Sequence, residues 1–523
     1  MRSSLRTISM IVAFGFASAI VTHAQTYQTL FEFAPADGGY PSSFVLGSDG
    51  NFYGTTRGGG TDRVALPGQG TVFEVTSSGE ISTDRYVFCI QSGAPYKCTD
   101  GSFPVGVILG TDGNLYGVTS GGGANDNGTV FQLTPANVLT TLYSFCAEPN
   151  CTDGSSPVAG VIRGTDGNFY GTTYGGGANY GGTVYQLTPA NVLTTLYSFC
   201  AKTNCVDGMG PNVLTQGNDG NFYGTTSTGG ANGSYGTVFE ITPTGSLTTL
   251  YSFCAETNCA DGARPNVLIK GTDGDFYGTT SAGGANGSYG TFFQITPLGS
   301  LTTLYSFCVE TNCADGSGPN SLIQGADGSF YGTTATGGRV YRKCVGGCGT
   351  LFSLVPGGAP TTLYEFCVPD CANGQQPDTV VQAGNGNFYG TTSYGGKIGA
   401  MPHCQPGCGV IYELSLSVAL GPTFTPASQT FGKTKVNATS KPRNISIKNV
   451  NTGTTTLDFS SLTTSGPFAI SANTCQATLA AGKSCKVSVT FTPTATGSAT
   501  GTLSVSDNAP NSPQTVSLSG TGD

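Results

Sequence analysis

Most of this chain alternates apolar and polar residues in short runs broken by glycine-rich turns, the pattern of strands that cover one face. One set of runs recurs. An Asp-Gly-Asn-Phe-Tyr-Gly hexapeptide, or a close variant, starts its Tyr-Gly pair at residues 53, 116, 170, 223, 277, 331 and 389. A Gly-Thr-Val-Phe-x-Leu/Ile-Thr run follows, as at 128–134, 182–188 and 236–242. A Leu-Thr-Thr-Leu-Tyr-Ser-Phe-Cys run comes next, as at 139–146, 193–200, 247–254 and 301–308. A short apolar segment such as Asn212-Val213-Leu214 completes the unit. Four turn-bounded strands per unit of about 54 residues predict one four-stranded propeller blade per repeat. The Asp-Gly pairs mark tight hairpins that need a positive φ.

The strands do not all fall in step. The Leu-Tyr-Ser-Phe type of strand appears once ahead of the first unit, at residues 27–33, and is missing after the last Gly-Thr-Val-Phe type strand at 410–414. This offset predicts that the N-terminal strand completes the seventh blade and closes the ring, removing exposed sheet edges. From about Leu420 the repeat stops. Runs at 444–450, 456–459, 486–491, 502–506 and 515–518 fit a small immunoglobulin-like sandwich. The expected architecture is therefore all-β: a seven-bladed β-propeller over residues 25–417 and an immunoglobulin-like β-sandwich over 418–523.

Composition supports this. Glycine numbers 81 and charged residues are only 10% of the chain, which suits turns and strands and not helices. Arg2 and Arg6 precede an apolar run from Ile8 to Ile20, and Thr22-His23-Ala24 offers a cleavage site; residues 1–24 read as a secretory signal peptide. That run is too short to span a bilayer of about 30 Å. The expectation is an exported protein, secreted, periplasmic or at the cell surface, without a transmembrane segment. Eighteen cysteines in close pairs (89/98, 146/151, 200/205, 254/259, 308/313, 344/348, 367/371, 404/408 and 475/485) then read as local disulfides and not as zinc ligands.

Residues 25–417 carry 12 basic and 27 acidic side chains, a net −15, while 418–523 carry 7 and 3, a net +4. An acidic body without clustered Lys and Arg excludes a nucleic-acid partner. His403 is the one histidine after the signal segment, so Ser-His-Asp, Cys-His or histidine-ligated metal chemistry would have to run through it. The Gly-rich loops lack the Lys-Ser/Thr of a phosphate-binding loop. The strongest candidate binding residues form a repeated ring just before the first strand of each blade: Asp37, Asp100, Asp153, Asp207, Asp261 and Asp315, with Asn373 in the seventh place. Two readings stand for this ring. Asp-Gly is ordinary turn chemistry, and a circle of Asp oxygens also suits calcium or a cationic ligand. Near-equivalent acids are a poor source of the unlike pair that carboxylate catalysis needs. Departures from the repeat concentrate in the loops of blades one (57–70), six and seven, which adjoin in a closed ring, either as a specialised sector or as drift at the closure.

The units Asp166-Gly167-Asn168-Phe169-Tyr170-Gly171-Thr172-Thr173 and Gly182-Thr183-Val184-Tyr185 resemble the GloVer tandem repeat of exported bacterial proteins. The segment from Phe431 to Thr521, with Cys485-Lys486-Val487-Ser488-Val489-Thr490-Phe491-Thr492-Pro493, resembles the choice-of-anchor D domain, akin to Hydin-type immunoglobulin-like modules. The resemblance implies an extracytoplasmic bacterial protein and transfers no catalytic residue. The functional expectation is a monomeric binding, adhesion or envelope-associated protein without a catalytic centre, whose partner is an extracellular glycan or cell-surface protein. The alternative is a carbohydrate-active or lyase-type propeller enzyme using carboxylates on the loop-rich face.

Overall fold

The computed structural model describes residues 25–60, 69–76, 80–89, 98–338, 346–355, 358–367, 371–396, 407–416, 422–450, 456–509 and 512–523. Residues 1–24, read above as a signal peptide, His403, Cys344, Cys404 and residues 61–68 of the first variable loop lie outside them. The chain divides into two compact units, one of them residues Tyr27–Ser415 and the other containing Leu416–Asp523.

In the first unit the described residues form seven four-stranded sheets. Sheet 4 is representative: strand A is Met209–Gln216, B is Phe222–Thr228, C is Thr237–Ile241 and D is Leu247–Ser252, antiparallel in sequence order. Sheet 7 takes its strands A to C from Gln375–Gln382, Phe388–Tyr394 and Val410–Leu416, and its fourth strand is the N-terminal Gln25–Glu32. A strands of successive sheets pack on one another, and strand A of sheet 1, Gly39–Leu46, packs on sheet 7.

Two rings of aromatic contacts explain why these sequences pack as a circle. The Phe that follows each D strand meets, edge to face, the aromatic residue of strand C in the next sheet: Phe88–Phe131, Phe145–Tyr185, Phe199–Phe239, Phe253–Phe293, Phe307–Phe352 and Phe366–Tyr412, with centroids 5.1–5.3 Å apart. Phe33, following the N-terminal strand, makes the same contact to Phe73 of sheet 1 at 5.3 Å. Nearer the opposite face, the hexapeptide Tyr of one sheet packs on the hexapeptide Phe of the next, as in Tyr170–Phe222 at 4.0 Å, Tyr223–Phe276 at 4.1 Å and, across the seam, Tyr389–Phe52 at 4.6 Å. Each such pair contributes about 1 kcal/mol beyond simple burial. The glycine after the hexapeptide Tyr is the socket for the strand C ring. A Cβ on Gly224 would sit 2.7 Å from Cζ of Phe239, so no larger residue fits without moving the ring.

One sheet departs from the pattern. Strand A of sheet 3 is reduced to Ile162–Arg163 plus a bridge between Ser155 and Gly175. Its chain has one more residue between Pro157 and Gly164 than sheet 4 has between Pro211 and Gly217. The extra residue cannot keep the ladder in register, and Gly160 instead approaches Gly106 of sheet 2 closely.

In the second unit two four-stranded sheets face each other. One orders Thr423–Thr425, Arg443–Lys448, Ser484–Phe491 and Phe468–Asn473; the other orders Ser428–Thr434, Gln514–Gly522, Gly497–Ser506 and Ser461–Thr464. Alternate residues such as Ile445, Ile447, Val487, Val489, Leu503, Val505 and Val516 fill the core between them. The Cys475–Cys485 disulfide is contained within this unit.

Candidate functional site

The chain enters strand A of each sheet from strand D of the one before, and the candidate aspartates lie on that crossing. The structure gives them a precise local role. Asp153, Asp207, Asp261 and Asp315 are buried. In each, Oδ2 accepts the hydroxyl of the preceding D strand's tyrosine (Tyr143, Tyr197, Tyr251, Tyr305) at 2.8–2.9 Å and a backbone N–H at 2.9–3.0 Å. Oδ1 accepts a second N–H at 3.2 Å. Asp100 does likewise with Tyr86 and the Cys89 N–H. Burial first, and the neighbouring carboxylate second, push the Tyr143, Tyr197, Tyr251 and Tyr305 hydroxyls well above the usual phenol range, so they stay protonated donors.

The last two members differ. Asn373 instead donates from Nδ2 to the Tyr364 hydroxyl at 2.5 Å, while Tyr27 stacks on Tyr364 at 4.1 Å and donates to the Asn373 carbonyl at 2.6 Å. Asp37 follows Phe31 where the other D strands have tyrosine, and it accepts the Ala34 N–H at 3.1 Å. In the four buried aspartates both oxygens are thus engaged by N–H and O–H donors, which compete with any cation for the same lone pairs. This geometry favours the turn reading of the ring over the ligand reading.

Local disulfides brace the same crossings: Cys89–Cys98, Cys146–Cys151, Cys200–Cys205, Cys254–Cys259, Cys308–Cys313 and Cys367–Cys371. Cys348 and Cys408 are also disulfide-bonded, with partners outside the described residues. The sulfurs of Cys348, Cys367 and Cys371 lie within 4.8 Å of one another, but no described cysteine is free to ligate a metal.

The hexapeptide aspartates on the opposite face are equally committed. Asp166 accepts the Asn168 N–H at 3.1 Å and the Tyr170 hydroxyl at 2.6 Å across a hairpin whose Gly167 has φ +84°. Burial raises the Asp112 and Asp166 carboxyls, but the tyrosine and asparagine hydrogen bonds outweigh it and hold both below the usual carboxylate range. A cleft of about 270 Å³ there is lined by Asp112, Tyr116, Gln132 and Arg163 among others. Its carboxylate is already bound to Tyr116 at 2.6 Å.

A different ring, which sequence reasoning missed, has the properties of a recognition surface. The residue before the strand A proline is left-handed in every sheet: Tyr40, Phe103, Ser156, Gly210, Arg264, Gly318 and Gln376 have φ between 51° and 64°. Each N–H is pinned to the end of the preceding sheet's B-to-C loop, by donation to the carbonyls of Cys408, Gln69, Asn127, Gly181, Tyr235, Tyr289 and Cys348 at 2.7–2.9 Å. A residue before proline favours extended backbone, and a side chain at left-handed φ costs about 1–2 kcal/mol. Glycine would suit the position, and two sheets use it. The other five keep Tyr, Phe, Ser, Arg or Gln, with Phe103 43% exposed and Arg264 and Gln376 exposed. Where glycine occurs at 210, the exposed Tyr174 of the neighbouring sheet leans over it. A constant backbone thus presents a variable side chain at the axial end of each sheet, on the loop-rich face. The signal was in the chain as an x-Pro position that varies inside an otherwise repeated unit.

The Gloeobacter/Verrucomicrobia repeat matches four overlapping stretches, residues 14–150, 90–260, 146–339 and 210–462. The ASPM-SPD-2-Hydin (ASH) domain matches 417–515. No curated protein matches the chain. Among solved structures, the extracellular domain of a hybrid two-component system from B. thetaiotaomicron aligns over 76% of this chain and 40% of its own length, with 11% identity and a TM-score of 0.47. The alpha-L-arabinanase of Penicillium chrysogenum aligns over 75% and 98%, with 10% identity and a TM-score of 0.36. PapD-like domain 7 of human CEP192 aligns over 20% and 87%, with 21% identity and a TM-score of 0.17.

Proposed function

Given that the chain belongs to the Gloeobacter/Verrucomicrobia repeat family, we propose that it is an exported binding protein that contacts an extracellular glycan or cell-surface partner through the axial mouth of its loop-rich face. The observation that carries this reading is the left-handed ring. Five sheets keep a side chain where glycine would be less strained, and strain retained against a cheaper alternative marks positions held for function. Local stability does not account for Phe103 or Arg264, since both are exposed.

The enzymatic alternative needs two carboxyls in unlike surroundings. The repeated acids are instead acceptors within their own turns, which supports binding over catalysis. Export is supported by the seven disulfides mapped among the described residues, a pattern of oxidising compartments. No described helix is long and apolar enough to cross a membrane. A screen of the secreted protein against glycans and cell-wall preparations tests the reading, with Phe103→Gly and Arg264→Gly as controls. Binding that both variants weaken supports it; binding indifferent to both contradicts it.

A further inference from the structure

At one seam the mouth carries charge as well as shape. Arg57 is the next-to-last residue of strand B of sheet 1, Phe52–Gly58, at a position held by Ser120, Tyr174, Ser227, Ser281, Ala335 and Ser393 in the other sheets. It is exposed. Across the seam, Asp378 follows the strand A proline of sheet 7, where other sheets have Ser42, Val105, Val158, Asn212, Asn266 and Asn320. The hydroxyls of Ser120, Ser227 and Ser281 donate to the carbonyl of the left-handed residue in their own sheet, each at 3.1 Å. Ser393 is drawn away from that arrangement and donates to Oδ2 of Asp378 at 2.5 Å. Two half-exposed tyrosines, Tyr40 of sheet 1 and Tyr394 of sheet 7, meet edge to face at 5.4 Å across the same seam. Exposed Gln376 stands two residues before Asp378.

We propose that this seam is a subsite for a carboxylate-bearing sugar, a uronic acid residue within a glycan. The proposal rests on the binding role of the mouth and names the ligand class for one sector of it. Arg57 supplies a fork of donors matched to a carboxylate. The tyrosine pair offers ring faces and hydroxyls to a sugar. Exposed Gln376 supplies a donor and an acceptor for ring hydroxyls, and Asp378 holds the Ser393 hydroxyl. Burial pushes the Asp378 carboxyl up, opposed by the Ser393 hydroxyl and the Arg57 guanidinium. Exposed Glu148, Glu256 and Glu310 on the crossings of the regular sheets repel the same anion, which favours the seam over those three crossings. A phosphorylated ligand would call for more than one cation, and a cationic ligand would meet Arg57 directly.

The test is titration calorimetry of the secreted protein with oligogalacturonate and with its methyl ester. Wild type, Arg57→Gln, Arg57→Lys and Asp378→Asn are compared, with thermal midpoints confirming that each is folded. The expected result is binding of the free acid, at least tenfold weaker for the ester and for Arg57→Gln, and weakened by added salt. Arg57→Lys should recover part of the loss. Equal affinity for acid and ester, or an Arg57→Gln variant that binds as wild type does, would overturn the subsite. So would a preference for a peptide carboxylate over the sugar acid. None of these outcomes would touch the broader role of the mouth, which fails separately if Phe103→Gly and Arg264→Gly leave all binding unchanged.

Discussion

Sheets 2 to 5 and the arc formed by sheets 6, 7 and 1 come from one repeat, yet they use the same positions differently. In the regular arc every crossing is a buried aspartate receiving a tyrosine hydroxyl and two backbone N–H groups, as at Asp207. At the closure the pattern gives way. Asn373 reverses the direction of the hydrogen bond to its tyrosine, and Asp37 has no tyrosine to receive. The same arc carries Arg57 and Asp378 at positions that are uncharged in all the other sheets. Regularity in this molecule belongs to the scaffold, and the departures of the closing arc bring a charged pair to the mouth. The lesson is that a repeat reveals function by the positions it fails to repeat.

The largest expected effect asks whether the closing strand holds as firmly as a junction within continuous chain. Phe33 and Phe199 occupy equivalent places, each edge to face with the next sheet's Phe. Phe33→Ala and Phe199→Ala should each lower the unfolding free energy by about 4 kcal/mol in denaturant titrations. A much smaller loss at Phe33 would mean that the seam is only loosely closed. Next, Asp207→Ala removes a buried acceptor that serves three part-buried donors, Tyr197 Oη and the Ala201 and Lys202 N–H groups, and should destabilise by about 2 kcal/mol, while Asp37→Ala should cost under about 1 kcal/mol. Equal losses would erase the contrast between the arcs. The wild-type protein should unfold at the same temperature with or without calcium, because the buried aspartate oxygens are already occupied by donors.

A smaller effect, of opposite sign, lies within the regular arc. The hydroxyl of Tyr185 is fully buried with no hydrogen-bond partner among the described residues, whereas the equivalent Tyr412 donates to the Thr379 carbonyl at 2.9 Å. Tyr185→Phe should therefore stabilise by about 1 kcal/mol, and Tyr412→Phe should not. The least effect is on pH dependence. Asp112 and Asp166 are held below the usual carboxyl value of about 3.9, so their contribution is complete above that pH and is lost as the pH falls through their lowered values. Asp378 is shifted the other way, so its contribution is present below the usual value and is lost as the pH rises through the raised one. Asp166→Asn should flatten the acid limb of the stability profile, and Asp378→Asn the limb above it.

Much of the scaffold was legible in the chain. The Tyr-Gly spacing located the strands, the Asp-Gly pairs located hairpins such as the one at Gly167, and close cysteine pairs located the crossing disulfides. The aspartate ring was visible too, but its purpose was hidden in a constant offset. Tyr143/Asp153, Tyr197/Asp207, Tyr251/Asp261 and Tyr305/Asp315 are each ten residues apart, a spacing whose meaning, a rim-strand hydroxyl given to the crossing carboxylate, only the fold makes plain. The left-handed ring was not legible. Local preference before proline argues for extended backbone, and only the inter-sheet hydrogen bond from the pinned N–H overrides it. The short strand A of sheet 3 follows from one extra residue before Gly164, which alters register without altering composition.

The central claim is that mouth side chains are kept for binding at the expense of backbone strain, and it is tested by measuring stability and ligand binding together on Phe103→Gly and Arg264→Gly. The account predicts unfolding free energies equal to wild type or raised by up to about 1 kcal/mol, with weakened binding to whichever extracellular glycan or surface partner the wild type retains. Variants that lose stability while binding as well as wild type would contradict it, because those side chains would then be serving the fold.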